Sequence, residues 1–137
     1  MAILVDSSFL YSLMDKSDSN GQLARDFVGT NREPFIVPGV TLFEVTHVLR
    51  HRIGQHAVTS FLRLILELQI PLEPILISDA AQALTIMEQY PDARLDFVDC
   101  CIMALSERLN VTQICTFDRR DFMIFRPSHC DYLELLP

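Results

Sequence analysis

The chain has no tryptophan, only four glycines, few basic residues and no long apolar run. Each scarcity argues against a class of protein. A membrane-spanning helix needs about 20 mostly apolar residues, whereas the longest apolar stretch, residues 61–68, is broken by Arg63 and Glu67. Glycines at 21, 29, 39 and 54 form no G-x-G-x-x-G turn behind a strand, which argues against a dinucleotide cofactor. Eleven Lys and Arg against eighteen Asp and Glu give a net charge of −7, so no broad basic face for a polyanion is to be expected. The four cysteines contain no C-x-x-C pair. Cys100 and Cys101 are adjacent in an apolar helical pattern, Cys115 lies in an apolar strand pattern and Cys130 stands alone, which suggests buried cytosolic thiols rather than a zinc site. No basic segment precedes the first apolar triplet at 3–5, so the expected location is cytoplasmic, with no membrane contact.

What is present is ample material for a core. The 137 residues are 50% hydrophobic and 21% charged, the balance of one globular domain over 1–137. Residues 3–5 read as a short buried strand, followed by a helix from Ser7 with Phe9, Leu10, Leu13 and Met14 on one face. A polar turn over 15–20 leads to a helix over 21–28, for which Gly29 is the expected stop. A strand over 34–37, closed by Pro38-Gly39, leads to a helix over 41–52 and, after Gly54, a helix over 56–68. An extended segment over 71–77 precedes a helix to 90 capped by Ser78 and Asp79. After a turn at 91–94, a helix over 96–109 closes at Asn110. A strand over 111–117 is cut off by the charged run 118–121, and a short extended piece lies over 132–135. Strands alternating with helices predict a three-layer α/β/α sandwich around a central, mostly parallel sheet.

In such folds functional groups gather at the carboxyl ends of the strands. Asp6 follows the first strand directly, Asp118 follows the last long one, and Glu44 sits in the first turn or so of the helix after the second. Asp96 and Asp99 open the helix before the last long strand, at the spacing of a cap and its capping-box partner, so Asp96 reads equally as ligand or cap. Glu44 stands among Leu42, Phe43 and Val45, where an unpaired carboxylate is costly to bury. Asp118 and Asp121 lie in a charged turn where solvation explains them as well as function does. Hard oxygen ligands of this kind suit Mg²⁺ or Mn²⁺.

The order Ile3-Leu4-Val5-Asp6-Ser7-Ser8, Thr41-Leu42-Phe43-Glu44-Val45, Leu95-Asp96-Phe97-Val98-Asp99-Cys100-Cys101-Ile102 and Thr116-Phe117-Asp118-Arg119-Arg120-Asp121-Phe122 resembles the PIN domain, and within it the VapC toxins of bacterial toxin–antitoxin pairs. The resemblance spans essentially the whole chain. It implies that Asp6, Glu44 and Asp99 match the three core acids, Asp118 the more variable fourth, and Ser7 or Ser8 the hydroxyl that supports the first. Cys100-Cys101 replaces the usual small pair, a change that packing tolerates. The implied activity is a Mg²⁺- or Mn²⁺-dependent endoribonuclease, with catalysis and metal binding shared by Asp6, Glu44, Asp99 and Asp118. One or two ions would activate water for in-line attack on an RNA phosphodiester. The implied partners are an antitoxin and a second copy of the chain. The apolar excess of the helices over 21–28, 41–52 and 56–68 is consistent with such surfaces. Arg119 and Arg120 are candidates for steering RNA phosphates, or else balance Asp118 and Asp121. A haloacid-dehalogenase-like phosphatase is disfavoured because Ser8 stands where its second acid belongs. A PIN-like module that binds without cleaving is the remaining alternative.

Overall fold

Ile3–Val5 (β1) is the middle strand of a five-stranded sheet and is buried on both faces. The computed structural model describes residues 1–137. The other strands are Phe35–Pro38 (β2), Leu72–Glu73 (β3), Gln113–Cys115 (β4) and Glu134–Leu136 (β5), in the order β3-β2-β1-β4-β5. All four strand pairings are parallel, with Leu4 opposite Ile36 on one side and Ile114 on the other.

Parallel strands require crossovers, and seven helices supply them: Ser7–Met14 (α1), Gly21–Thr30 (α2), Gly39–Arg52 (α3), Gln55–Glu67 (α4), Ile77–Gln89 (α5), Phe97–Leu109 (α6) and Arg120–Ile124 (α7). The side-chain alternation of a strand divides the core in two. Ile3, Val5, Val37 and Cys115 pack with α1 to α4, while Leu4 and Ile114 pack with α5 to α7. The result is the expected α/β/α sandwich. Helix α6 is buried without interruption from Asp99 to Ser106, so the adjacent Cys100 and Cys101 are enclosed on both sides. All four thiols are unpaired. No helix is long and apolar enough to cross a membrane.

Several boundaries differ from those expected. Gly29 lies within α2 rather than ending it, because the exposed last turn tolerates a glycine at a cost of about 1 kcal/mol. Pro38-Gly39 does not separate strand from helix: Pro38 is both the end of β2 and the N-cap of α3, which therefore starts two residues early and puts Glu44 in its second turn. Only Leu72–Glu73 of the segment over 71–77 pairs with the sheet. Helix α5 is capped at Leu76, whose backbone N–H donates to the Asp79 carboxylate at 2.8 Å, so Asp79 caps from inside the first turn rather than preceding it. Asn110 takes the left-handed conformation that ends α6. Helix α7 falls where a charged turn is expected.

Leu4 is fully enclosed against α6 and its neighbours. Leu4→Ala is therefore expected to lower unfolding stability by about 2–5 kcal/mol, read from the denaturant midpoint at unchanged slope. A loss under about 1 kcal/mol would mean that the strand is not pinned between two cores.

Candidate active site

The chain leaves β1 for β2 and β3 on one side, then returns to place β4 on the other. The carboxyl ends of β1 and β4 thus flank the point where strand order reverses, the crevice where open parallel sheets bind ligands. Asp6 stands directly after β1 and Thr116 directly after β4, and the Asp6 N–H donates to the Cys115 carbonyl at 2.9 Å.

Asp6 occupies the N-cap position of α1, yet its side chain makes no capping bond. Its Oδ2 instead accepts from the Thr116 hydroxyl at 2.8 Å and the Ser8 hydroxyl at 3.0 Å. Its Oδ1 is buried and has no partner at all. Burial pushes the Asp6 carboxyl above its ordinary value. Hydrogen bonds from Thr116 and Ser8 and the proximity of the Ser7 amide oppose that rise, and the nearby Glu44 charge adds to it. Glu44, half-buried on α3, accepts from the Ser7 hydroxyl, so consecutive serines at the start of α1 serve two acids.

Asp99 enters from α6. Burial is the main cause that raises its carboxyl to about 9, followed by Asp6 and by Asp121, with which it shares a hydrogen bond. Asp96 resolves as a cap: it is exposed, and its Oδ2 accepts from the Asp99 N–H at 3.4 Å. Asp118 is exposed, and it is its backbone N–H that joins the centre, donating to Thr116 Oγ1 at 3.0 Å and Ser8 Oγ at 3.3 Å. The structure thus sets Asp6 and Glu44 beside the two serines that open α1, buries Asp99 within range of the Asp6 charge, and ties Asp118 in through its main chain.

Sequence reasoning missed Asp121. It is only 7% exposed, and its Oδ2 accepts from the Asp96 N–H at 2.9 Å, which clamps the entry to α6 beside Asp99. The alternation of charges in residues 118–121 hides it. The available signal was Phe122, four residues past Asp118 and buried, which marks the inward side of a short helix. The neighbouring arginines are exposed and make local contacts. Arg120 pairs with Asp121 at 2.6 Å and donates to the Ala93 carbonyl at 2.5 Å, and Arg119 donates to the Pro137 carbonyl at 2.7 Å. His47 is exposed and stacks edge-on against His51.

No three acidic, histidine or cysteine side chains close on one point as a finished metal shell would. The donor set is nevertheless of hard oxygen, and the orphaned Asp6 Oδ1 is a buried lone pair of the kind that a divalent cation satisfies. On that test the residues fit Mg²⁺ or Mn²⁺.

The PIN domain profile matches residues 3–124. Among solved structures, VapC20 of Mycobacterium tuberculosis, described as a sarcin-ricin loop cleaving toxin, superposes with a TM-score of 0.85 at 18% identity, covering 98% of this chain and 99% of that one. VapBC2 of Rickettsia felis, bound to a DNA fragment from its promoter, gives 0.71 at 12% identity over 98% and 97%. A toxin–antitoxin complex of Klebsiella pneumoniae gives 0.65 at 19% identity over 88% and 89%. At such identities the likeness establishes the fold. A search of curated proteins found no match.

Because Asp99 keeps a proton in the folded chain that it releases on unfolding, the metal-free protein should lose stability as pH rises from the ordinary carboxylate range to about 9. Asp99→Asn should make that loss shallower and raise the metal-free melting temperature at pH 8. An unchanged pH slope in the variant, read by thermal melts, would contradict the placement of Asp99.

Proposed function

The chain belongs to the PIN domain family, and from that premise we propose that it is a Mg²⁺- or Mn²⁺-dependent endoribonuclease, the toxin of a toxin–antitoxin pair. The observation that carries the reading is the pair of buried acids, Asp6 at the carboxyl end of β1 and Asp99 in the first turn of α6, with one carboxylate oxygen left unpartnered. Buried acids without basic partners cost stability, and their retention points to a ligand that supplies positive charge.

Asp6, Glu44 and Asp99 would hold the ion, with Asp118 on the exposed, substrate side. Bound Mg²⁺ or Mn²⁺ supplies an acidified water and neutralises charge on phosphoryl oxygens. The chain supplies position. Ser8 and Thr116 fix the plane of the Asp6 carboxylate, Ser7 fixes Glu44, and Asp96 with Asp121 fixes the first turn of α6 that carries Asp99. A cation at this point also gives a chain of net charge −7 a local attraction for RNA.

The partner surfaces follow from the apolar residues that the core does not use. Between α1, α2 and α4 lies a small cavity of about 70 Å³ lined only by hydrophobic side chains, among them Leu13, Met14, Val28, Leu64 and Leu68. Leu64 on α4 and Leu68 at its C-cap are exposed where they line it. An apolar side chain on an antitoxin helix is proposed to enter this cavity. A second copy of the chain is proposed on α5, where Ile77 and Leu84, two turns apart on one face, are exposed. The alternative, a PIN-like module that binds RNA or protein without cleaving, is favoured by the carboxylates that stop short of closing on one point.

Incubation of the purified chain with structured RNA separates the two. Cleavage should require Mg²⁺ or Mn²⁺, disappear with chelator and fall by about 100-fold or more in Asp6→Asn and in Asp99→Asn. Equal cleavage in both variants would remove the assigned site, and intact RNA with the wild type would favour the binding module.

A further inference from the structure

Between α1 and α3 lies a cavity of about 250 Å³ that the reading above leaves unused. Ser7 and Ser8 line it, so it adjoins the acids they hold. From there α3 carries Arg52 eight residues beyond Glu44, about 12 Å along the helix axis. Arg52 and Asn20 also line the cavity, and Val45, Val48 and Phe117 give it apolar surface.

These groups are arranged for a flat ligand with a polar edge. One face of the Phe117 ring stacks on Phe9, with centroids 5.8 Å apart and planes 21° from parallel, and the ring also borders the cavity. The Arg52 guanidinium lies 5.2 Å from the Tyr11 ring centroid, interacts with the Tyr11 hydroxyl and the Asp15 charge, and forms no close carboxylate pair, which leaves part of its donor fork for a ligand. The Asn20 side-chain amide is unbonded; its backbone N–H donates to Asp18 Oδ1 at 2.8 Å and its carbonyl accepts from the Ala24 N–H at 3.0 Å. Asp18 Oδ1 also accepts from Ser12 at 3.2 Å, which leaves Oδ2 as a free acceptor in the same lining. A phosphate is disfavoured here by the Asp18 charge. A neutral base, with apolar faces and mixed donors and acceptors on its edge, matches every group.

Resting on the ribonuclease reading, we infer that this cavity seats one unpaired nucleobase of the RNA strand beside the scissile phosphate. Its face lies on Val48 and Phe117, and its edge is read by Arg52, Asn20 and Asp18. Sequence-specific RNA recognition uses such splayed bases, stacked on aromatic rings and hydrogen-bonded at their edges. The cavity therefore sets which base is accepted at one position next to the cut.

The test is binding of four homopolymeric RNA hexamers to the non-cleaving Asp99→Asn chain, followed by fluorescence anisotropy. One base should be preferred by about tenfold or more, the scale of one well-made edge contact. Arg52→Gln or Asn20→Ala in that background should bring the four affinities within about twofold. Arg50→Gln, which removes the same charge outside the cavity, should keep the preference. The inference is overturned if the parent shows no preference, if the preference survives both cavity variants, or if Arg50→Gln abolishes it equally. It is also overturned if Arg52→Gln leaves RNA binding intact but prevents assembly with a protein partner, which would assign the cavity to protein. Cleavage by the wild type is scored separately. A chain that prefers one base without cutting keeps the subsite and loses the nuclease reading, and one that cuts without preference does the reverse.

Discussion

A carboxylate buried at the end of the central strand is the constraint from which the rest of this structure follows. Asp6 is 2% exposed, in surroundings where an unneutralised charge is expensive. Two hydroxyls, from Ser8 and Thr116, offset part of that cost through one oxygen, and the second oxygen receives nothing from the protein. Thr116 lies 110 residues away in the chain, and only parallel pairing of β1 with β4 brings it within reach. The sheet order is thus what makes Asp6 tolerable at all.

The same logic explains the burial of α6. A helix enclosed from Asp99 to Ser106 can hold a carboxylate at its buried start only if that start cannot fray. Asp96 caps it, and Asp121 on α7 bonds the Asp96 N–H from outside the helix. Arg120 then ties Asp121 to the turn at Ala93. The run from Asp118 to Asp121 therefore works as a brace around the site. Arg119 and Arg120 take part in that brace while remaining exposed.

Much of this was legible in the sequence, for identifiable reasons. Strands buried on both faces leave apolar runs such as Ile3-Leu4-Val5, and the acids directly after them mark the functional edge of a parallel sheet. Asp6, Glu44 and Asp99 came from that pattern and from the family resemblance; in the structure Asp6 and Glu44 are held by neighbouring serines at the start of α1, and Asp99 lies buried in the first turn of α6. What stayed hidden depends on distant or very short elements. Helix α7 has five residues, too few for a 3.6-residue period to show, and it opens with Arg120-Asp121 at the end of the charged run 118–121, so Asp121 read as a solvated residue. The partners of Arg119 and Arg120 are backbone carbonyls at Pro137 and Ala93, which no local pattern announces. Pro38-Gly39 carries the signal of a break, but the strand runs straight into the helix there.

On the proposed reading, an acidic chain acting on RNA takes its positive charge from a cation held at the centre around Asp6. Diffraction from crystals soaked in Mn²⁺, measured at the manganese absorption edge, tests this most directly. The account predicts an anomalous peak contacting Asp6 Oδ1 and the Asp99 carboxylate. A clear peak elsewhere, or none at saturating Mn²⁺, would contradict it.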